Sequence, residues 1–183
     1  MDDATPSAMV VVGDLDGRRI EIDFMSTILG VDDDSILDRY VTLTGTNRAS
    51  GAQYKVMLLH PLDCLKSRFA NIDVLGRTDE LSLRQARIGL RVVELYVDEI
   101  LEEGDRREAQ ETLRQLFFVG RDRLRIVREH DLSPVPVMAR FLDDQRLDER
   151  WRVKTLRPAI ERLVMKIEQK LQRRAKPDEP AAP

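Results

Sequence analysis

Residues 53–72, QYKVMLLHPLDCLKSRFANI, contain the change of periodicity that decides the fold class. The run Gln53–Leu59 is typical of a β-strand. Pro61 suits the first turn of a helix, and the apolar residues after it recur at helical spacing: Leu62, Leu65, Phe69 and Ile72. We therefore predict an α+β protein, in which a small N-terminal β-sheet (a hairpin plus one or two strands) is followed by a helical bundle.

The segment before this switch is predicted to form the β unit, over residues 1–60. Two β-rich runs, Met9–Val12 and Arg18–Phe24, flank the turn sequence Asp14-Leu-Asp-Gly17. In the second run apolar and charged residues alternate, as in a strand with one buried face. A short helix over Ser35–Arg39, with Asp33 or Asp34 as its candidate cap, and a strand over Tyr40–Leu43 complete this unit.

The segment after the switch, residues 61–174, is predicted to be helical throughout. Apolar stripes at helical spacing run from Ala86 to Ile100, from Ala109 to Val127 and from Leu156 to Leu171. A shorter helix is predicted from Pro136 to about Gln145, and Pro158 either starts or kinks the last helix. Residues 175–183 have the composition of a disordered tail.

Composition and charge narrow the class of protein. No apolar run approaches the roughly 20 residues that span a bilayer, so we predict no membrane association. The acidic N-terminus and the single cysteine, Cys64, favour a cytoplasmic location. Residues 1–104 hold 11 Lys/Arg against 19 Asp/Glu, whereas residues 105–183 hold 19 against 14. The basic half is a candidate surface for RNA or another polyanion.

Carboxylates are the main candidates for chemistry, because the P-loop and the zinc-ligand spacings are absent from the sequence. Asp14 and Asp16 fit either ordinary turn chemistry or, together with Asp23, a site for Mg²⁺. Asp23 lies within a predicted strand, where turn propensity does not explain it. Cys64 is interpreted as a buried structural thiol, with a pairing to His60 as the alternative.

Three passages resemble the latter part of nucleotidyltransferase-like proteins related to the AbiEii/AbiGii toxins of toxin–antitoxin systems. These passages are EIDFMSTILGV, YKVMLLHPLDCLKSRFANI and LGRTDELSLRQARIGLRVV. The resemblance implies that Asp23 is the third acid of the metal site and that Pro61 leads the helix after an apolar strand. It also implies that Arg68 stands where the family usually has a lysine, and that Arg77 and Asp79 belong to its next motif.

The same resemblance implies what is missing. The family's defining motif, a Gly-Ser or Gly-Gly followed at an interval by Asp-x-Asp, has no counterpart before the hairpin that contains Asp23. We therefore expect an incomplete or split nucleotidyltransferase-like protein that is inactive as an isolated chain. It would need Mg²⁺ and a complementary chain carrying the missing acids, with Arg68, Arg77 and Asp79 binding the nucleotide and Asp23 binding the metal.

Two alternatives remain open at this point. In the first alternative to a nucleotidyltransferase-like protein, the chain is a helical interaction module that binds a protein partner or RNA through its basic C-terminal half. In the second, it is a fragment that folds poorly. Salt-sensitive binding of RNA by residues 105–174 would favour the first of these.

Overall fold

The computed structural model describes residues 7–15, 17–25 and 27–175, with side chains at 12–14, 17–19 and 27–169. Two small antiparallel sheets come first and a helical region follows, so the predicted α+β class is confirmed. Of the predicted tail, residues 175–183, only Ala175 belongs to the described residues.

The first sheet is the predicted hairpin. Strands β1 (Ser7–Leu15) and β2 (Arg18–Met25) pair antiparallel, with Leu15 opposite Arg18. At the turn, the Gly17 amide donates a hydrogen bond to Asp14 Oδ1 at 2.9 Å, and Gly17 has φ of 73°. Asp14 therefore has the turn role that its sequence context suggests.

The second sheet is a two-stranded ribbon, and in the described residues it does not pair with the hairpin. After a short helix α1 (Asp33–Asp38), strands β3 (Tyr40–Thr46) and β4 (Gln53–Leu59) run antiparallel. The helix begins two residues earlier than predicted, and β3 is three residues longer. Apolar side chains along the ribbon are exposed: Tyr40, Leu43, Tyr54, Val56, Met57 and Leu58. The described strands thus form two separate two-stranded sheets, whereas one small sheet was predicted.

Helices α2 (Pro61–Leu75), α3 (Glu80–Glu102) and α4 (Arg106–Asp122) form the first part of the helical region. Each begins at a side chain that accepts a hydrogen bond from a backbone amide of the first turn: His60, Asp79 and Asp105 respectively. Helix α2 ends at Gly76, which has the left-handed conformation typical of a helix C-terminus.

The second part of the region differs from the prediction at two places. The stripe from Ala109 to Val127 belongs to two helices, because Arg123 leaves helical geometry (φ −115°, ψ 34°) between α4 and α5 (Leu124–Glu129). The predicted helix from Pro136 is only the short α6 (Val135–Arg140).

The last helix begins with an irregular turn. A single turn, α7 (Glu149–Trp151), passes into a π-helical segment (Arg152–Leu156) and then α8 (Arg157–Ala175). The Arg157 amide donates to the Arg152 carbonyl, five residues earlier. Because Pro158 has no amide hydrogen to continue the regular pattern, the wide turn lies directly before it. Pro158 is therefore the second residue of α8, so it lies at the start of this helix, directly after the π turn.

The core lies between the helices. Fully buried side chains come from α2, α3, α4, α5, α6 and α8 and from the segments between them, and the largest include Phe69, Phe141, Leu113, Ile126 and Leu163. Gly120 on α4 allows a close approach, because a Cβ built there would lie 2.6 Å from Pro134 Cγ and 2.9 Å from Leu163 Cδ2. None of the described helices is long and apolar enough to cross a membrane.

Candidate functional site

A cluster of polar side chains surrounds the start of α2, where the ribbon meets the helices. We call it the α2 polar cluster; its members are Arg39, His60, Asp63, Lys66, Tyr96, Glu108 and Gln115. These residues come from the end of α1, the first two turns of α2, and the facing surfaces of α3 and α4.

His60 is the centre of the cluster and is only 3% exposed. Its Nδ1 accepts the backbone amide of Leu62 at 3.1 Å and also lies 3.1 Å from Arg39 Nη2, which is always a donor. Nε2 lies 3.2 Å from Glu108 Oε1, an acceptor. These partners require a neutral imidazole with its proton on Nε2.

The environment keeps this neutral form. Burial lowers the pKa of His60, and the Arg39 guanidinium lowers it further, whereas Glu108 and Asp63 oppose the shift. Tyr96, whose ring meets the imidazole edge to face at 4.8 Å, has its pKa raised to about 12 by burial and by Glu108. Because Nδ1 is already occupied by two donors, His60 acts here as a helix cap and not as a general base.

This geometry predicts an acid-sensitive contribution to stability. Unfolded His60 titrates near its usual pKa of about 6.5, whereas in the folded protein its pKa is lower, so the unfolded chain binds more protons below that pH. The free energy of unfolding should therefore fall as the pH drops from about 7 to about 5.5, by at most about 1.4 kcal/mol per pH unit. Above that window the contribution is fully present.

Urea unfolding across this pH range measures the effect. We expect His60→Asn, which keeps a capping side chain, to lose stability less steeply than the wild type. Equal slopes in the wild type and His60→Asn would contradict the assignment.

The second half of the cluster is a buried charge pair. Asp63 is 0% exposed and its Oδ1 accepts a hydrogen bond from Lys66 Nζ at 2.7 Å. Lys66 Nζ also donates to Gln115 Oε1 at 3.2 Å, and Arg39 Nη1 donates to the same oxygen at 2.8 Å. Asp63 Oδ2 is buried and has no hydrogen-bond partner among the described residues. The side-chain amide oxygen of Gln115 on α4 thus binds both Arg39, at the base of the ribbon, and Lys66 on α2.

A pocket of about 360 Å³ opens beside this pair. Lys66 and Gln115 form part of its wall, and Phe69, Phe118 and Val119 supply apolar surface. This volume is within the range of pockets that hold small ligands. The pocket connects Lys66 and Gln115 of the cluster to solvent-accessible space.

Asp23 lies on β2, as predicted, where it is paired with Val10 of β1. Its side chain lies outside the described residues, so its assignment to a metal site stays a prediction. The described residues contain no group of three or more His, Cys, Asp or Glu that could hold a metal ion.

The predicted nucleotide-binding residues lie on the outer surface of the α2–α3 hairpin. Arg68 is exposed on α2, and Arg77 is exposed in the loop after it. Asp79 is the N-cap of α3, where its carboxylate accepts bonds from the Ser82 amide and hydroxyl, and these bonds lower its pKa. None of the three lines the pocket beside Lys66.

Cys64 is half-buried, and its thiol lies 3.7 Å from the Leu59 carbonyl. Burial raises its pKa, so the structural interpretation is favoured over a reactive thiol. A bond to His60 does not form, because both ring nitrogens of His60 have other partners.

Arg39, Lys66, Glu108 and Gln115 were not identified from the sequence. Only the three-residue spacing of Asp63 and Lys66 within one helix could have indicated a pair. Arg39 and Gln115 are 76 positions apart, and no local pattern links them. Comparison with protein-family models, with curated proteins and with solved structures finds no match to this chain.

Proposed function

We propose that this chain is an incomplete nucleotidyltransferase-like protein, which contributes the third acid and a helical platform to a site completed by another polypeptide. The observation that carries the proposal is the order of elements. The strand that bears Asp23, β2, precedes an apolar strand, β4, which passes directly into the Pro61-led helix α2, and further helices follow. This order is the one implied by the resemblance to the AbiEii-related proteins.

The chemistry of transfer explains the need for a partner. Phosphoryl and nucleotidyl transfer require cations that neutralise the phosphates and orient the attacking oxygen. The described side chains include arginines and lysines, but they include no cluster of three or more His, Cys, Asp or Glu that could hold a metal ion. In this proposal the complementary chain supplies those carboxylates, and the present chain supplies Asp23 and cationic contacts to the nucleotide.

Arg68 is the residue through which the proposal is tested on this chain alone. Its guanidinium is exposed, and the acids five positions before and after it in the sequence are engaged elsewhere: Asp63 with Lys66, and Asp73 with Arg123 and Arg125. Arg68 is therefore not held by either acid. A guanidinium in this position can bind a phosphate through two parallel hydrogen bonds.

Calorimetric titration of ATP, GTP, CTP and UTP, each with Mg²⁺, tests this contact. We expect at least one nucleotide to bind, and Arg68→Ala to weaken its binding about tenfold, the loss of one charge-assisted contact. Arg84→Ala, which removes an exposed arginine from α3, is the matched control and should bind like the wild type. Equal binding by the wild type and Arg68→Ala, or no binding of any nucleotide, would remove the proposed nucleotide contact.

A further inference from the structure

A second cavity, of about 370 Å³, lies between α4, α6 and the π turn that leads into α8. We call it the basic groove. Its apolar floor includes Leu113, Phe117, Met138, Leu156 and Ala159, and its rim carries four cations: Arg114, Arg121, Arg162 and Lys166. No carboxylate is among the residues that line it. An occupant should therefore be anionic and should also present an apolar surface.

The cations of the rim are arranged around aromatic rings. The guanidinium carbons of Arg114 and Arg121 lie 5.4 and 4.7 Å from the centroid of the Phe118 ring. Arg162 lies 5.7 Å from the centroid of Phe117. Trp151, half-buried, lines the same groove. These guanidinium groups lie over the phenylalanine rings, and guanidinium planes, like exposed aromatic rings, are surfaces on which nucleobases stack.

The rim cations remain available to a ligand. Arg114 and Arg121 form ion pairs with Glu111 and Asp122, but these pairs are on the exposed surface, where they contribute little. Arg162 uses its Nε to reach the Pro158 carbonyl, which leaves its terminal nitrogens for other partners. Lys166 is exposed and has no ion-pair partner in the part of the chain whose side chains are described.

The π turn shapes the groove. Thr155 and Leu156, which line it, belong to the widened turn, and Trp151 immediately precedes that turn. A regular helix would carry these side chains at a different angle relative to Arg162 and Lys166 on α8. Pro158, by excluding the regular pattern, thereby fixes the relation between the tryptophan and the two cations.

We propose that the basic groove binds single-stranded nucleic acid, with a base against Trp151 and backbone phosphates along Arg162 and Lys166. Aromatic rings set between cations suit this ligand better than an acidic peptide, whose carboxylates would use the charges but not the rings. The proposal does not depend on nucleotidyl transfer, on Asp23 or on Arg68. It assigns to the groove the basic surface that the charge asymmetry of the sequence indicated.

The full-length chain provides its own probe, because Trp151 is its only tryptophan. A uridine-rich RNA of about 12 nucleotides is titrated while tryptophan fluorescence and the anisotropy of a dye on the RNA are recorded together. We expect both signals to change with one affinity. A DNA strand of the same sequence should also bind, and a duplex should bind more weakly, because its bases are already stacked.

Two variants test the residues. Arg162→Ala/Lys166→Ala should weaken binding at least about tenfold and reduce the slope of log affinity against log salt by about 1.4, the value for two lost phosphate contacts. The matched control, Arg84→Ala/Arg87→Ala, removes two exposed arginines from α3 and should retain wild-type affinity and slope. Trp151→Phe keeps an aromatic ring, and it should retain most of the affinity while losing the fluorescence signal.

Several results would overturn the proposal. One is an anisotropy change without a change in Trp151 fluorescence, which would place the RNA elsewhere. Another is equal loss of affinity in the groove variant and the control, which would indicate a diffuse charge effect. A third is displacement of the RNA by polyglutamate at equal charge concentration, which would show that the rings contribute nothing.

Discussion

Lys66→Met should lower the free energy of unfolding by about 3 kcal/mol, because it leaves the Asp63 carboxylate buried without its counter-charge. Asp63 is 0% exposed, and its charged partner is the Lys66 ammonium group, which donates a hydrogen bond of 2.7 Å to Asp63 Oδ1. Asp63 Oδ2 has no hydrogen-bond partner among the described residues, so no described side chain would replace Lys66 as a donor to this carboxylate. Lys66 is 26% exposed, and the water that reaches the site keeps the expected loss at the lower end of the range for broken buried pairs.

Urea unfolding measures this loss as a shift of the midpoint at unchanged slope. The double variant Asp63→Leu/Lys66→Met should recover most of the stability, because it removes the charge together with its partner. Lys166→Met, the same substitution at an exposed position, is the control and should change stability by less than about 0.5 kcal/mol. A wild-type midpoint for Lys66→Met, or a double variant no more stable than the single one, would contradict the role of this pair.

Gly120→Val should destabilise the protein by about 3 kcal/mol, through steric overlap of α4 with Pro134, which precedes α6, and with Leu163 of α8. A Cβ at this position would already lie within 3.0 Å of both Pro134 Cγ and Leu163 Cδ2, and the proline ring has little freedom to move. The two methyl groups of valine add to that overlap. Even Gly120→Ala should be destabilising, although alanine favours a helix over glycine by about 1 kcal/mol.

Gly89→Ala provides the matched control for this prediction. Gly89 also lies within a helix, α3, but the three atoms nearest to a Cβ there all belong to Leu65, and the closest is the methyl Cδ1 at 3.2 Å. Since a leucine methyl can shift by a few tenths of an ångström, the helix preference of alanine should dominate and stabilise the protein by up to about 1 kcal/mol. Thermal unfolding of the two alanine variants should therefore change in opposite directions. Changes of the same sign would show that the approach at Gly120 is not as close as described.

The parts of the fold that follow from local chemistry could be predicted from the sequence. Helix α2 begins at Pro61 and β4 spans Gln53–Leu59, both as predicted, because a proline at the first helical turn and a β-rich run are signals contained in a few neighbouring residues. The β1–β2 hairpin was predicted for the same reason, since its turn lies between the strands that it joins.

Features that depend on distant residues could not be predicted in this way. The apolar stripe from Ala109 to Val127 continues across the break at Arg123, because both helices turn their apolar faces to one core. The apolar periodicity therefore predicted correctly which residues are buried, but it predicted one continuous helix where there are two. Strand pairing is likewise a long-range property, and the sequence did not show that β3–β4 would stay apart from β1–β2.

The candidate site illustrates the same limit. The resemblance directed attention to Arg68, Arg77 and Asp79, which have exposed or capping positions in the structure. The polar cluster instead joins Arg39, His60 and Gln115, from three elements far apart in the chain. Each of these residues is unremarkable in its local sequence, and only the packing of α2 against α4 gives them a common environment.

The far end of the β3–β4 ribbon has a practical consequence for work with this protein. The turn there is self-contained: Asn47 Oδ1 accepts the amides of Ala49 and Ser50, and the Asn47 amide donates to the Ala52 carbonyl. All of its residues are exposed, so chain length at this point can vary at little entropic cost. An affinity tag, a spectroscopic label or a surface-immobilisation handle inserted between Arg48 and Gly51 would leave both the α2 polar cluster and the basic groove unobstructed.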